Sequence, residues 1–214
     1  MMDFYDLLGF SRNWALGIAT VAELGDATRN HLETVGLWSA ELAKRIGMDE
    51  AEAEWLGVAA ILHDVGKGTI PRELWLKPAP FLEQEKVYIK SHAEFGKVVL
   101  ERIEEWGQSF VSVALLQAAK EIALSHHENW DGSGYPRGLS GEEIPLAARI
   151  VKVADVADAL LSKRPYKAAW SLTETERELR ENSGTEFDPD LVAVFLKGGL
   201  KLWQDLSSCS SLVR

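Results

Sequence analysis

The sequence predicts an all-α fold, a helical bundle with a metal site at its centre. Apolar residues recur at intervals of three and four along most of the chain, which is the period of a helix with one buried face. No segment shows the alternation of a convincing strand. A metal site in a bundle takes ligands from several facing helices. The five histidines fall in predicted helices roughly thirty residues apart, with the last two adjacent: His31, His63, His92, His126 and His127.

Capping residues, glycines and prolines mark where the helices begin and end. Asp49 has the position of an N-cap, and Gly47 suits the positive φ that follows a helix. Ser11 is the expected N-cap of the first helix. Segments 68–80 and 129–141, rich in proline and glycine respectively, are expected to be loops. The predicted helices cover residues 11–24, 31–46, 49–64, 83–106, 110–128, 145–161, a short segment from Ser171, and 188–197.

Composition bounds the class of protein. With 214 residues, 46% apolar and 26% charged, the chain suits one globular core. The net charge of -10 argues against binding polymeric nucleic acid, which needs a basic face. No apolar run reaches the roughly 20 residues of a membrane span, and the acidic start is unlike a signal peptide. A cytoplasmic protein is expected, and its one cysteine, Cys209, can form no internal disulfide.

The stretch from Ala60 to Lys67 places an imidazole, a carboxylate and an ammonium at the end of an apolar helix. Taken alone, His63 and Asp64 could be an ordinary charge pair at a capped helix end. A second carboxylate, Asp155, lies on a helix otherwise dominated by apolar residues, and burying it without a cation would cost several kcal/mol. Together these groups predict a metal site.

Five histidines and two aspartates are too many ligands for one ion. Asp64 is therefore expected to bridge two ions, which can activate a shared water and bind both the attacking and the leaving oxygen of a phosphoryl transfer. Imidazole and carboxylate ligands without thiolates favour Mn, Fe, Co, Ni or Zn in a reactive site over a structural zinc cage. The implied chemistry is phosphoester hydrolysis.

Each ligand also has a structural explanation that the sequence leaves open. His31 and His92 could be hydrogen-bonded core histidines. His126 and His127 could be a surface pair stabilised at a helix end. All of these explanations must hold together for the metal site to disappear.

Longer motifs resemble those of the HD-GYP family, a branch of the HD-domain metal-dependent phosphohydrolases associated with hydrolysis of the bacterial second messenger cyclic di-GMP. The resemblance covers about residues 20–197, which leaves 1–19 as a helical lead-in and 198–214 as a tail frayed after Asp205. The matching segments are His63-Asp64-Val65-Gly66-Lys67, Ile70-Pro71, Leu76-Lys77-Pro78, His92, the stretch from His126 to Pro136 with its Gly134-Tyr135-Pro136, Ile144-Pro145, Ala154-Asp155 and Arg164-Pro165-Tyr166-Lys167.

The resemblance implies roles for individual residues. Lys67 is expected beside the reacting phosphate and paired with Asp158, although it could be a simple helix-end cation. The metal ligands implied are those reached from spacing: His31, His63, Asp64, His92, His126, His127 and Asp155. The catalytic residues implied are Lys67, Asp64 and Asp158, and the substrate contacts are Gly134, Tyr135, Pro136, Arg164 and Lys167. Tyr135 could instead pack its loop, and Arg164 and Lys167 could form a solvated basic loop.

Two positions depart from the family pattern. Ala27 stands where some members have a glutamate that helps bind a third metal, so two divalent ions are expected, most readily Fe or Mn, with Ni, Co and Zn as alternatives. Thr34 replaces a frequent arginine. The sensory or receiver domain that often accompanies the family is absent from the sequence, so either a partner protein regulates the domain or the chain is a fragment.

The function implied is a phosphodiesterase that hydrolyses cyclic di-GMP to linear pGpG, with GMP as a possible further product. Two alternatives remain at this stage. The enzyme could act on another cyclic dinucleotide or nucleotide, or the domain could be a signalling module that binds a nucleotide without cleaving it.

Overall fold

The structure is a computed structural model that describes residues 4–23, 26–75, 77, 79–106, 112–162, 168–197 and 199–210. These residues form helices, with two isolated β-bridges and no extended strand among them, which confirms the all-α prediction. Short 3₁₀ segments lie at Val65–Thr69 and Gly141–Glu143. The α-helices are α1 Phe4–Glu23, α2 Asp26–Arg45, α3 Glu50–Ala60, α4 Arg72–Trp75, α5 Glu83–Lys90, α6 His92–Trp106, α7 Val113–Ser125, α8 Leu146–Leu161, α9 Leu172–Glu181, α10 Pro189–Leu196 and α11 Lys201–Ser210.

The centre of the bundle is formed by α2, which packs against α3 and α8, and by α7, which packs against α3, α6 and α8. Two glycines allow α2 and α3 to approach closely. A Cβ on Gly57 would lie 2.7 Å from the carbonyl oxygen of Gly36. Fully buried side chains of these helices, such as Leu32, Ile122 and Ile150, fill the interior. The helices that carry the histidines are therefore fixed around one core.

The local signals at several helix ends are confirmed. Asp49 Oδ1 accepts from the backbone N–H of Ala51 at 2.9 Å and of Glu52 at 3.4 Å, as an N-cap does. Gly47 has φ +95° after the end of α2. Ser171 forms the N-cap of α9. These ends are set by contacts within a few residues, so the sequence alone reveals them.

Other boundaries differ from the prediction. The expectation that Ser11 caps the first helix is wrong: α1 begins at Phe4, and Ser11 is buried within it. The helix predicted from Glu83 is divided at Ser91, where the hydroxyl donates to the carbonyl oxygen of Tyr88 at 2.5 Å. Such side-chain bonds compete with the helical hydrogen bonds of the backbone. His63 also lies beyond α3, in a turn, because that helix ends at Ala60.

The C-terminal helices are attached to α2 through aromatic side chains. The Trp38 indole N–H donates to the carbonyl oxygen of Trp203 at 3.0 Å, and the Trp203 indole N–H donates to that of Phe195 at 2.7 Å. The Phe195 and Trp203 rings stack with their centroids 4.2 Å apart. Helix α11 continues to Ser210, so the fraying expected after Asp205 is not observed over the described residues. Among the helices described, none is long and apolar enough to cross a membrane.

Candidate metal centre

The structure brings all seven predicted metal ligands together. Three helices and two turns supply them: α2 carries His31, the turn after α3 carries His63 and Asp64, and α8 carries Asp155. His92 is the first residue of α6, while His126 and His127 directly follow α7. The ligands thus come from helix ends and from helix faces that meet at the bundle centre.

The ligand atoms form two groups, within each of which they lie no more than 4.8 Å apart. One group contains Asp64, His92, His126 and His127, and the other contains His31, His63 and Asp155. Asp64 lies between the groups. Its Oδ1 is 3.2 Å from His92 Nε2 and its Oδ2 is 3.2 Å from His63 Nε2. A carboxylate in this position can bridge two cations.

His63 and His92 use Nδ1 for hydrogen bonds to the backbone, which leaves Nε2 to face the other ligands. His63 Nδ1 lies 2.8 Å from the carbonyl oxygen of Ala60, and His92 Nδ1 lies 2.7 Å from that of Ile89. Because a carbonyl oxygen only accepts, Nδ1 carries the proton in each ring. Among the described residues, His63 Nε2, His126 Nε2 and Asp64 Oδ1 are buried and have no hydrogen-bond partner. Buried unpaired polar atoms are costly, and divalent cations bound by the two ligand groups would satisfy all three, so the residues present fit a metal site.

The charges around Asp64, His126 and His127 favour the protonation states of these three residues that bind metal. Burial alone would raise the pKa of Asp64, but the Lys67 ammonium and His63 hold it well below its ordinary value, so the carboxylate stays ionised. Burial lowers the pKa of His126, and it lowers that of His127 further, so both rings are neutral near pH 7. A neutral imidazole is the form that coordinates a metal.

His31 differs from the other histidines because both ring nitrogens face carboxylates. Nδ1 lies 2.6 Å from Asp158 Oδ2, and Nε2 lies 3.3 Å from Asp155 Oδ1. Burial alone would lower the pKa of His31, but these two aspartates raise it to about 10. Asp158 therefore orients His31, a role that the sequence reasoning missed. The spacing of Asp155 and Asp158 suggested a shared helix face but not the partner.

The Lys67 ammonium contacts Asp64 Oδ2, the oxygen of that carboxylate on the His63 side. Lys67 thus lies beside a candidate metal ligand, and its expected place beside the reacting phosphate stays a prediction. Its pairing with Asp158 stays a prediction, and Asp158 Oδ2 lies 2.6 Å from His31 Nδ1.

The loop that follows His127 is held against the site by buried polar contacts. The Glu128 carboxylate accepts from the backbone N–H of Arg137 at 2.8 Å and of Leu139 at 3.1 Å. A Cβ on Gly134 would lie 2.2 Å from the backbone nitrogen of Asn129, so only glycine fits there. Glu128 belonged to the recognised motif, but its role as the anchor of this loop was not foreseen.

Tyr135 lies against the metal ligands. Its ring stacks on His127 with centroids 4.7 Å apart, and the Tyr135-Pro136 peptide bond is cis. The Lys90 ammonium lies 4.8 Å from the Tyr135 ring centroid. Packing of the Tyr135 ring is observed, whereas contacts of Gly134, Tyr135 and Pro136 with a substrate stay predictions.

Some predicted positions cannot be compared. Arg164 and Lys167 lie outside the described residues, as does the side chain of Ala27. Conversely, the structure places Trp75 beside His92, with ring centroids 6.0 Å apart. Trp75 falls in the segment predicted as a proline-rich loop, and no sequence period pointed to it.

Comparison with known proteins agrees with this geometry. A family model described as "HD domain" matches residues 18–191. The chain is 39% identical over 193 residues to the 3'3'-cGAMP-specific phosphodiesterase 2 of Vibrio cholerae, covering 90% of this chain and 35% of that protein. It is 43% identical over 170 residues to a cyclic di-GMP phosphodiesterase of Thermotoga maritima, covering 79% and 44%. The chain thus spans less than half the length of these relatives.

A solved structure shares the fold. Bd1817 of Bdellovibrio bacteriovorus, described as an HDG"Y"P protein, aligns with a TM-score of 0.60 at 17% identity over 90% of this chain and 63% of the other. The likeness in fold agrees with the identities to the longer relatives and with the intact His63-Asp64 and Gly134-Tyr135-Pro136 motifs. The chain therefore belongs to the HD domain family, and its motifs are those of the HD-GYP resemblance.

Proposed function

We propose that this domain is a metal-dependent phosphodiesterase that hydrolyses cyclic di-GMP. The observation that carries the proposal is the division of seven nitrogen and oxygen ligands into two groups with Asp64 between them. Sites of two metals about 3.5–4 Å apart are typical of phosphoester hydrolysis. The names of the relatives support a cyclic dinucleotide as the substrate class.

Two divalent ions would be held by the two ligand groups and would supply an activated water and electrostatic stabilisation of the attacking and leaving oxygens. Fe or Mn is proposed first, because imidazole and carboxylate ligands suit both, with Ni, Co and Zn as alternatives. The protein's part is to hold the histidine side chains and an ionised Asp64 in place before substrate arrives.

The cationic side chains would act on the substrate phosphates. Lys67 lies at the Asp64 edge of the site and would neutralise charge that develops on the phosphate. Arg164 and Lys167 are proposed as further phosphate contacts, the first as a planar fork and the second as a point charge. Tyr135, held against His127, would face the ligand from the glycine-rich loop. Cleavage of one linkage would give pGpG, and cleavage of the second would give GMP.

A second candidate substrate is 3'3'-cGAMP. This proposal is supported by a relative of that specificity that is 39% identical over 193 residues, a degree of similarity close to that of the cyclic di-GMP enzymes. The metal centre acts on the phosphodiester that both molecules share, so it does not distinguish their bases. The discrimination would fall to the side chains around the site.

The test is to load the purified domain with Fe(II) or Mn(II) without oxygen and incubate it with each cyclic dinucleotide. Products are separated by ion-pair chromatography. We expect the linear dinucleotide from cyclic di-GMP. Cleavage of 3'3'-cGAMP alone would replace the substrate proposal, and binding of both without cleavage would favour a non-catalytic signalling module.

Asp64→Ala tests whether the proposed bridge is needed. We expect loss of bound metal and of turnover, because this substitution removes the carboxylate between the two ligand groups. The matched control is Asp205→Ala, which removes an exposed carboxylate that pairs with Lys201 on α11. Metal content by elemental analysis and turnover in Asp64→Ala equal to those of the control would refute the bridging role.

A further inference from the structure

Trp75 covers a face of the candidate site and has no part in the metal coordination. It is the last residue of the short helix α4. Its ring centroid lies 5.3 Å from the Lys67 ammonium, and it meets the His92 ring edge-on at an interplanar angle of 71°. The indole thus touches both a ligand and the cation proposed to act on the phosphate.

The Lys67 side chain needs such a neighbour because lysine is long and flexible. Its side chain is 26% exposed, and its ammonium extends to the buried carboxylate of Asp64. A lysine chain with four rotatable bonds loses its orientation readily, whereas an aromatic face within about 6 Å attracts the ammonium and restricts it. The indole and Asp64 therefore hold the ammonium at two contacts.

The polar atom of the indole is buried. Its Nε1 is buried and has no hydrogen-bond partner in the described part of the chain. A buried N–H without a partner is a cost, and an apolar aromatic such as phenylalanine would carry no such group. The attraction between the indole face and the Lys67 ammonium offsets this cost.

We propose that Trp75 is a positioning residue that holds the Lys67 ammonium at the Asp64 edge of the metal centre, ready for the substrate phosphate. The inference rests on the proposed function for its kinetic consequence, but the ordering of Lys67 is a property of the protein alone. Trp75 acts through Lys67 and is not itself proposed to touch the reacting atoms.

A double-substitution cycle tests whether Trp75 acts through Lys67. The variants are Trp75→Leu, Trp75→Phe, Lys67→Met and the pair Trp75→Leu with Lys67→Met. We expect Trp75→Leu to lower kcat by about 3- to 30-fold with little change in KM, the range of a desolvated cation–π contact. Trp75→Phe should recover most of kcat, and Trp75→Leu should cost nothing further when Lys67 is already methionine.

A direct contact between Trp75 and a nucleobase would give a different pattern. KM would then rise in Trp75→Leu, and the losses in kcat/KM would add in the double variant. Either result would overturn the positioning role. Trp55→Leu is the control, because Trp55 is a half-buried tryptophan on α3 that packs against the core.

A spectroscopic measurement decides the ordering of Lys67 without any turnover. The protein is labelled with ¹³C-lysine and loaded with diamagnetic Zn(II), and the Lys67 signal is assigned by its loss in Lys67→Met. The indole ring current should shift the Lys67 Hε resonances upfield, and the shift should vanish in Trp75→Leu but persist in Trp55→Leu. An unshifted Lys67 signal would refute the inference. Failure of the wild type to cleave any cyclic dinucleotide would refute the proposed function while leaving this result to decide on Trp75.

Discussion

Removing the carboxylate that orients His31 should weaken metal binding without removing a ligand. Asp158 Oδ2 lies 2.6 Å from His31 Nδ1, so Nδ1 keeps its proton and Nε2 is directed toward Asp155. Asp158 is only 6% exposed, so water cannot easily replace it. The perturbations are Asp158→Asn, which retains one accepting oxygen, and Asp158→Ala, which retains none.

Two independent estimates give the size of the effect. Loss of a hydrogen-bond partner behind a metal-binding histidine typically costs about 10- to 100-fold in metal affinity, which is about 1.4–2.8 kcal/mol. A hydrogen bond to a charged group contributes about 1.5–3 kcal/mol. We expect Asp158→Asn near the lower limit, because the amide oxygen can still accept, and Asp158→Ala near the upper limit.

The assay is calorimetric titration of Mn(II) into metal-free protein, with circular dichroism to verify that each variant folds. Ser162→Ala is the matched control, since Ser162 Oγ lies 3.4 Å from the other oxygen of Asp158 and leaves the His31 bond in place. Mn(II) affinity in folded Asp158→Ala within twofold of the wild type would refute the reasoning that Asp158 orients His31.

Two further predictions concern packing and protons. Gly66→Ala should lower the thermal midpoint of unfolding sharply, because the new Cβ would lie 2.0 Å from the carbonyl oxygen of His92. The control Gly17→Ala should not lower the midpoint, because no atom lies within contact distance of its new Cβ, and equal midpoints for the two variants would contradict the close packing at Gly66. Metal binding near pH 7.5 should release at least one proton, because His31 has a pKa of about 10 and must lose its Nε2 proton to coordinate. The affinity for the metal should therefore rise with pH up to about 10. Titrations in buffers of different ionisation enthalpy measure the protons released, and binding without proton release would exclude His31 as a ligand.

The sequence identified candidate ligands that the structure brings together, because histidines and a carboxylate on an apolar face are chemically distinctive residues. Asp155 was recognisable as a carboxylate on an apolar face, and the cap at Asp49 depends only on residues next to it. Periodicity was less informative about boundaries. It did not locate the start of α1 at Phe4 or the break at Ser91, because helical spacing continues across both.

The sequence by itself determined the helical class, the seven candidate ligands and the lysine beside them, since residue type and period are local properties. Only the tertiary structure decided which groups meet. His31 and Asp158 are 127 positions apart, and Trp75 reaches Lys67 and His92 from a short helix that periodicity did not predict. A helical period indicates which face of a helix is buried. Which side chains that face contacts depends on how the helices pack, and those contacts set the orientation and charge of each ligand.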